Sequence, residues 1–236
     1  QARLAAAPAL LGLATYPVCG RTTVQQEPGL IESLLWDGEY HRIGLHVGRM
    51  VASADELGFP VAPERINALL ARVAAGLGAG DYKVRVLLER TGELWGSAEP
   101  LETGTANAEV MVARTRLPPA DHLTRHKTTR RTVFDAAARF AAAQGLADIL
   151  FLNRFGELTE AANSNVFVRL GGELLTPRKE AGLLAGTFRA TVLEDDDRAR
   201  EELLTLADLL QAEKIFLCNS VRGWREVGLR AGRAEF

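Results

Sequence analysis

The chain has 236 residues, 47% of them apolar, with 28 Lys and Arg set against 30 Asp and Glu for a formal charge of -2. That length supports one large or two smaller cores, and the near-neutral balance leaves no broad positive field for nucleic acid or anionic lipid. Two distant cysteines, Cys19 and Cys218, have no CxxC or Cys/His spacing, so neither disulfide framework nor metal site is expected and a reducing cytoplasm fits.

The first apolar stretch, Leu4 to Val18, is broken by Pro8 and Pro17 and is too short to span a bilayer, so no membrane segment is expected. Leu30 to Leu35 reads as a strand, and Asp37-Gly38 as a hairpin turn into Tyr40 to Ile43. From Leu45 to Leu57 apolar residues recur at helical spacing until Gly58-Phe59-Pro60 stops them, and Ala62-Pro63-Glu64 starts a second helix, Ile66 to Leu77. Alternation marks strands at Lys83 to Leu88 and Val110 to Ala113, with a Glu93 to Ser97 partner reached through Thr91-Gly92. The N-terminal half thus reads as an antiparallel sheet with two helices. Leu117-Pro118-Pro119 is the expected linker, because consecutive prolines cannot continue a ladder, and it divides the chain into domains 1–117 and 118–236.

Thr132 to Gln144 is an alanine-rich helix capped by Gly145, and Asp148 to Asn153 an apolar strand. Strands follow at Asn165 to Leu170 and Leu174 to Thr176 around Gly171-Gly172, then a helix from Thr187 to Leu193. The charge run Glu194 to Arg200 reads as a solvated loop, Glu201 to Gln211 as a helix, and Lys214 to Cys218 as the last strand. Periodicity alone supports an α+β fold in two parts.

Four segments have chemistry to offer. Arg125-His126-Lys127 with Arg130 and Arg131 is a basic cluster at the linker's exit, readable as an anion patch, a solvated face or the seat of a nucleophilic lysine. Leu158 to Phe167 carries a lone carboxylate, Glu160, ahead of small and amide residues; if buried it needs a cationic partner, and otherwise it is a polar loop. Gly182 to Arg189 is a Gly-bearing turn into a helix, the arrangement whose free N–H groups bind phosphate. Cys218-Asn219-Ser220-Val221-Arg222-Gly223 follows a strand and offers hydroxyl and amide groups to an anion, or is a polar surface turn.

In order and spacing these segments resemble the class IV aminotransferase family, which includes branched-chain and D-amino acid aminotransferases and 4-amino-4-deoxychorismate lyase. The likeness runs through His126-Lys127, Thr159-Glu160, Ser164-Asn165-Val166-Phe167, Thr176-Pro177 and Gly186-Thr187-Phe188-Arg189, with support from Leu30-Ile31-Glu32-Ser33 and His41-Arg42 ahead of His46-Val47-Gly48-Arg49-Met50. It implies a two-domain fold-type IV enzyme with pyridoxal 5′-phosphate (PLP) in the interdomain cleft, a small-molecule substrate and a homodimer. Lys127 matches the lysine that bonds PLP and shuttles the substrate proton, and Glu160 the carboxylate at the pyridine nitrogen. Arg42, Gly186, Thr187, Phe188, Ser220 and Val221 match the phosphate grip, and Arg131 and Arg222 are candidates for an anionic substrate. Phe188 stands where many relatives carry threonine, Thr132 where branched-chain aminotransferases carry tyrosine, and no Arg-x-His pair follows the Arg85 to Leu88 strand. The opening Leu30-Ile31-Glu32-Ser33 and the Asn219 to Gly223 turn are most similar to the lyase members.

Overall fold

A computed structural model describes residues 28–101, 109–118 and 123–236, so the apolar Leu4 to Val18 stretch and Pro119 lie outside the described residues. The first layer comprises β1 (Leu30–Trp36), α1 (Ile43–Leu57), α2 (Pro63–Ala75), β2 (Tyr82–Leu88) and β3 (Leu94–Pro100). The three strands form an antiparallel sheet, β1-β2-β3, with β1 paired to β2 from Leu30↔Leu88 to Trp36↔Tyr82. The strand period of two decides the two faces. Leu30 and Leu34 of β1 and Val84, Val86 and Leu88 of β2 pack under Met50, Ala54, Leu70 and Val73 of the helices, and the alternate residues Ser33 and Lys83 line a cavity on the opposite face. Losing the Leu70 side chain from this core would cost roughly 2–5 kcal/mol.

The expected hairpin at Asp37-Gly38 does not form. Trp36 makes a single bridge to Tyr40, and Arg42 then turns left-handed (φ 55°) to start α1 at Ile43. Arg42 is the one non-glycine with positive φ among the described residues. The second helix starts earlier than expected, with Pro63 preset at its first turn, and stops at the Gly76 cap.

A second sheet holds β4 (Glu109–Leu117), β5 (Asp148–Asn153), β6 (Leu158–Ala161), β7 (Asn165–Leu170), β8 (Glu173–Pro177), β9 (Ala199–Glu202), β10 (Lys214–Asn219) and β11 (Gly223–Ala234), in the order β6-β5-β4-β11-β10-β7-β8-β9. This corrects the sequence reading of Val110 to Ala113, which pairs parallel with β5 and β11 and not with the N-terminal strands. Sheet membership therefore changes between Pro100 and Glu109, ahead of Leu117-Pro118. The sheet curls until its ends meet, Leu158 N donating to Leu204 O (2.7 Å) and Glu157 bridging Thr205. Val112, Leu150, Val166, Leu175, Leu217 and Val227 fill the interior.

The helices α3 (Thr132–Ala143), α4 (Thr187–Asp195) and α5 (Leu206–Gln211) cover the curled sheet. Gly145 (φ 64°) ends α3 as expected: its N–H reaches Ala142 O, and Leu146 N–H reaches Ala141 O. The expected helix from Glu201 begins only at Leu206, because Thr205 and Asp208 form a reciprocal capping box. The charge run read as a loop ends in β9, parallel to β8, where Arg200 pairs with Glu173 and Glu201 with the buried Arg189; a charged edge strand also resists pairing with other chains. Beyond the expected last strand, β11 runs back through the middle of the sheet.

Candidate active site

A cavity of about 540 Å³ lies between the two sheets. Ser33, Lys83 and Glu99 line it from the first sheet; from the second layer come Lys127, Arg131, Glu160, Gly186, Thr187, Phe188, Ser220, Val221 and Arg222. Nine of the ten residues expected at the site thus share one cavity, and the tenth, Arg42, borders it: its Nε donates to Ser220 Oγ (3.3 Å), its Nη2 to Ser220 O (3.2 Å), and its guanidinium sits 4.7 Å from the Phe188 ring centroid. The left-handed backbone at Arg42, unusual for a long side chain, is what turns it across to that strand end.

Each segment has a local reason for its position. Lys127 sits in a short extended run bridged to β1 through Leu30↔Thr128. Glu160 lies on β6 and accepts the Leu184 N–H (3.2 Å). Gly186 precedes α4 where the chain passes so close to β7 that an added Cβ would lie 2.0 Å from Asn165 Oδ1; any larger residue must displace the Asn165 amide, whose Nδ2 holds Leu184 O (2.9 Å). The Ser220-Val221-Arg222 turn is shaped by Asn219, whose Oδ1 accepts the N–H groups of Val221 (3.0 Å) and Arg222 (2.7 Å).

The electrostatics suit proton transfer. Burial, with the Arg131 and Arg49 charges, brings the Lys127 ammonium down to about 7, so its amine is substantially free near neutral pH. Burial carries Glu160 up to about 7, against the opposing Leu184 N–H bond and the Arg131 and Lys127 charges. An acid and a base poised near neutrality in one cavity are the usual mark of a reactive site. Arg131 Nη2 donates to Ala162 O (2.7 Å) and Asn163 Oδ1 (3.1 Å) and so anchors the 162–163 turn.

Sequence reasoning missed five contributors. Glu32, His46 and Arg49 form a linked group at the cavity wall, Glu32 and His46 buried and Arg49 partly so: Arg49 grips Glu32 with two bonds of 2.7 Å, and His46 Nδ1 meets Glu32 at 2.7 Å. Burial alone would raise Glu32, but the Arg49 charge with the His46 and Arg49 bonds overrides it and holds the carboxyl at about 2. The spacing of His46 and Arg49, three apart on one helix face, was a readable signal. Lys83 and Arg225 also line the cavity; Arg225 belongs to β11, which the sequence reading did not foresee.

The donor set fits PLP. A lysine amine sits in the cavity, a carboxyl able to hold a proton lies beside it, and an arginine, a hydroxyl and a helix N-terminus converge at the Ser220 end, where a phosphate would find charge-assisted bonds and unpaired N–H groups.

The amino-transferase class IV family model matches residues 29–229. A Schizosaccharomyces pombe protein named "Putative aminodeoxychorismate lyase" is 30% identical over 210 residues, which is 84% of this chain and 87% of the relative. A solved Mesorhizobium loti protein named "Putative amino-acid aminotransferase" superposes with a TM-score of 0.80 at 34% identity, covering 86% of this chain and 100% of the other. The 4-amino-4-deoxychorismate lyase of Pseudomonas aeruginosa shares the fold, with a TM-score of 0.75 at 23% identity over 89% of this chain and 88% of its own. With a lysine, a carboxyl, an arginine and a hydroxyl gathered between its two sheets, the chain belongs to the class IV aminotransferase family, the PLP-dependent enzymes of fold type IV.

Proposed function

We propose that this enzyme is a PLP-dependent lyase that converts 4-amino-4-deoxychorismate to 4-aminobenzoate and pyruvate, a step of folate precursor synthesis. The observation that carries the reading is the wall of the cavity beyond Lys127. Its charged lining is Lys83 paired with Glu99 (2.7 Å), Arg222, and Arg225 beside the Asp148 carboxyl, and its apolar lining there is Pro100, Leu101 and Ala147. Cations and polar groups suit a substrate with two carboxylates, whereas an aliphatic amino acid needs an apolar pocket.

In this reading Arg42, Ser220 and the N-terminus of α4 hold the phosphate, the Val221 N–H being already donated to Asn219 Oδ1, and the Glu160 carboxyl keeps a proton at the pyridine nitrogen. PLP, when bound, supplies the electron sink that stabilises a carbon losing its proton. Lys127 takes the proton from the ring carbon that bears the substrate nitrogen and passes it on as pyruvate departs and the ring becomes aromatic. Arg222, exposed at the mouth, and Arg225 orient the carboxylates. A homodimer in a cytoplasmic setting is part of the same proposal; among the described residues no helix is long and apolar enough to cross a membrane.

The test is to supply 4-amino-4-deoxychorismate to the PLP-loaded enzyme and measure 4-aminobenzoate by fluorescence and pyruvate by a coupled dehydrogenase. Equal amounts of both products support the lyase, and Arg222→Ala should raise KM with PLP retained. The second reading, an aminotransferase, draws on the likeness to the Mesorhizobium loti protein. It wins if an amino acid alone, with no keto acid, converts the bound cofactor to its pyridoxamine form.

A further inference from the structure

Glu32, His46, Thr187, Ser220 and Arg42 form a continuous hydrogen-bonded line from β1 through α1 and α4 to the turn after β10. His46 Nδ1 meets Glu32 Oε2 at 2.7 Å, His46 Nε2 meets Thr187 Oγ1 at 3.2 Å, Thr187 Oγ1 touches Ser220 Oγ, and Ser220 Oγ accepts from Arg42 Nε at 3.3 Å. His46 is 1% exposed and Thr187 6% exposed, so solvent does not replace these partners.

Counting hydrogens fixes the direction of the line. Glu32 is ionised under Arg49 and can only accept, so Nδ1 of His46 carries a hydrogen. Burial, outweighing the Glu32 bond, keeps the imidazole below its ordinary range, which leaves Nε2 bare near neutral pH. Thr187 must then donate to Nε2, and Ser220 must donate to Thr187. Both hydroxyl hydrogens are spent inside the protein, and neither is left for an anion in the cavity.

A phosphate at Ser220 reverses this preference. Facing His46 are Glu32 on β1, Arg49 on α1, Arg42 just before that helix, and the neutral Thr187 and Ser220 from α4 and the β10–β11 turn. The two arginines oppose a charge on the ring, and a phosphate dianion beside Arg42 offsets them. With Nε2 protonated, Thr187 accepts from His46, and the Thr187–Ser220 pair has one hydrogen free to point at the anion. We propose that His46 is a positioning residue that takes up a proton from solvent when a phosphate seats against Ser220, and so turns one hydroxyl of the Thr187–Ser220 pair outward as a donor. The proposal rests on the cofactor reading above. Linkage requires the reverse effect as well: protonating His46 tightens phosphate binding by the same factor.

The test uses the full chain labelled with 15N-histidine and titrated near neutral pH with pyridoxamine 5′-phosphate, which leaves Lys127 unmodified. Saturation is followed through the ligand's absorbance. The His46 signal is identified by its loss in His46→Gln, or by elimination with His41→Gln, His122→Gln and His126→Gln if that variant does not fold. The expected result is an Nδ1–H tautomer in the free protein and a doubly protonated ring in the complex. His46→Gln should also make log affinity fall with pH less steeply by about one proton, whatever Lys127 contributes. Saturation with His46 still neutral, or a ring already doubly protonated without ligand, overturns this inference and leaves the cofactor reading standing. No saturation overturns the cofactor reading and this inference with it.

Discussion

The backbone carbonyl of Lys127 accepts a hydrogen bond from the Ile31 N–H at 2.8 Å, so the site lysine is fastened to the first strand of the other sheet. Thr129 N–H reinforces this by donating to Gly29 O (2.9 Å), and Gly29 N–H donates to Thr129 Oγ1 (3.0 Å). A Cβ at Gly29 would lie 2.7 Å from Leu87 Cδ1 and 3.0 Å from Leu88 O, and the second of these is backbone. Gly29→Val should therefore push the lysine run off β1, costing about 1–3 kcal/mol in urea unfolding and lowering kcat, because Lys127 moves with it. Unchanged kcat would show that the lysine is held by other means.

Lys127 should react as an amine at far lower pH than the ordinary lysine value of 10.5 allows. Competitive acetylation followed by mass spectrometry should place its midpoint at about 7. The same shift has a stability consequence. Between about 7 and the ordinary 10.5 the unfolded chain holds a proton that the folded chain does not, so stability rises with pH across that window. Lys127→Met should unfold later than the parent near neutral pH, with the gap closing as pH approaches 10.5. A gap constant with pH would contradict this.

Glu160 behaves in the opposite sense. Its folded value of about 7 stands above the ordinary 4.5, so its contribution to stability is fully present below 4.5 and is lost as pH rises through about 7. Glu160→Gln should match the parent in acid and exceed it in thermal unfolding above neutrality. The same variant should bind PLP about 10- to 100-fold more weakly, through the loss of a charge-assisted bond at the ring nitrogen. Equal PLP affinity would remove Glu160 from the site.

At Gly186 the expected effect is steric and reciprocal. Gly186→Ala drives a methyl into the Asn165 amide and should cost about 1–3 kcal/mol and most of the PLP affinity. Asn165→Ala removes the obstacle along with the Leu184 bond, so the double variant should be more stable than the sum of the two single losses. Additive losses, measured by denaturant unfolding, would show that the two residues do not press on one another.

The elements legible in the sequence were those whose signal is local. Helix α1 announced itself through Leu45, Val47, Met50, Val51 and Leu57 and stopped at Gly58, and α3 closed at Gly145. The hidden ones depend on distant partners. Strand β9 is a run of charges that is extended only because β8 and the buried Arg189 accept it, and β11 is interrupted by Gly228 and Gly232, its register slipping between Leu229 and Arg233. Strand β4 alternates correctly, but alternation does not say which sheet it joins. At the site the motifs brought forward Lys127, Glu160 and the Ser220 turn, while Glu32 was read as part of an opening strand. Its importance lies in meeting His46 and Arg49 on the helix above it, a contact with no spacing to read.

Strand β11 sits in the ladder between β4 on one side and β10 on the other. The three strands β4 to β6 and the four strands β7 to β10 therefore emerge from the ribosome as two arcs that can meet at one side through Leu158–Leu204 and Glu157–Thr205, and the seam at the other side is sewn by a strand synthesised after both. Because β11 begins at Gly223, just beyond Ser220 and Val221, the turn proposed to hold the phosphate is set at the same moment as the seam. Sheet closure by such sequence-distant pairing is slow. A phosphate compound present during refolding would capture the molecule as soon as that last strand docks, so cofactor uptake and closure of the sheet should share one rate constant.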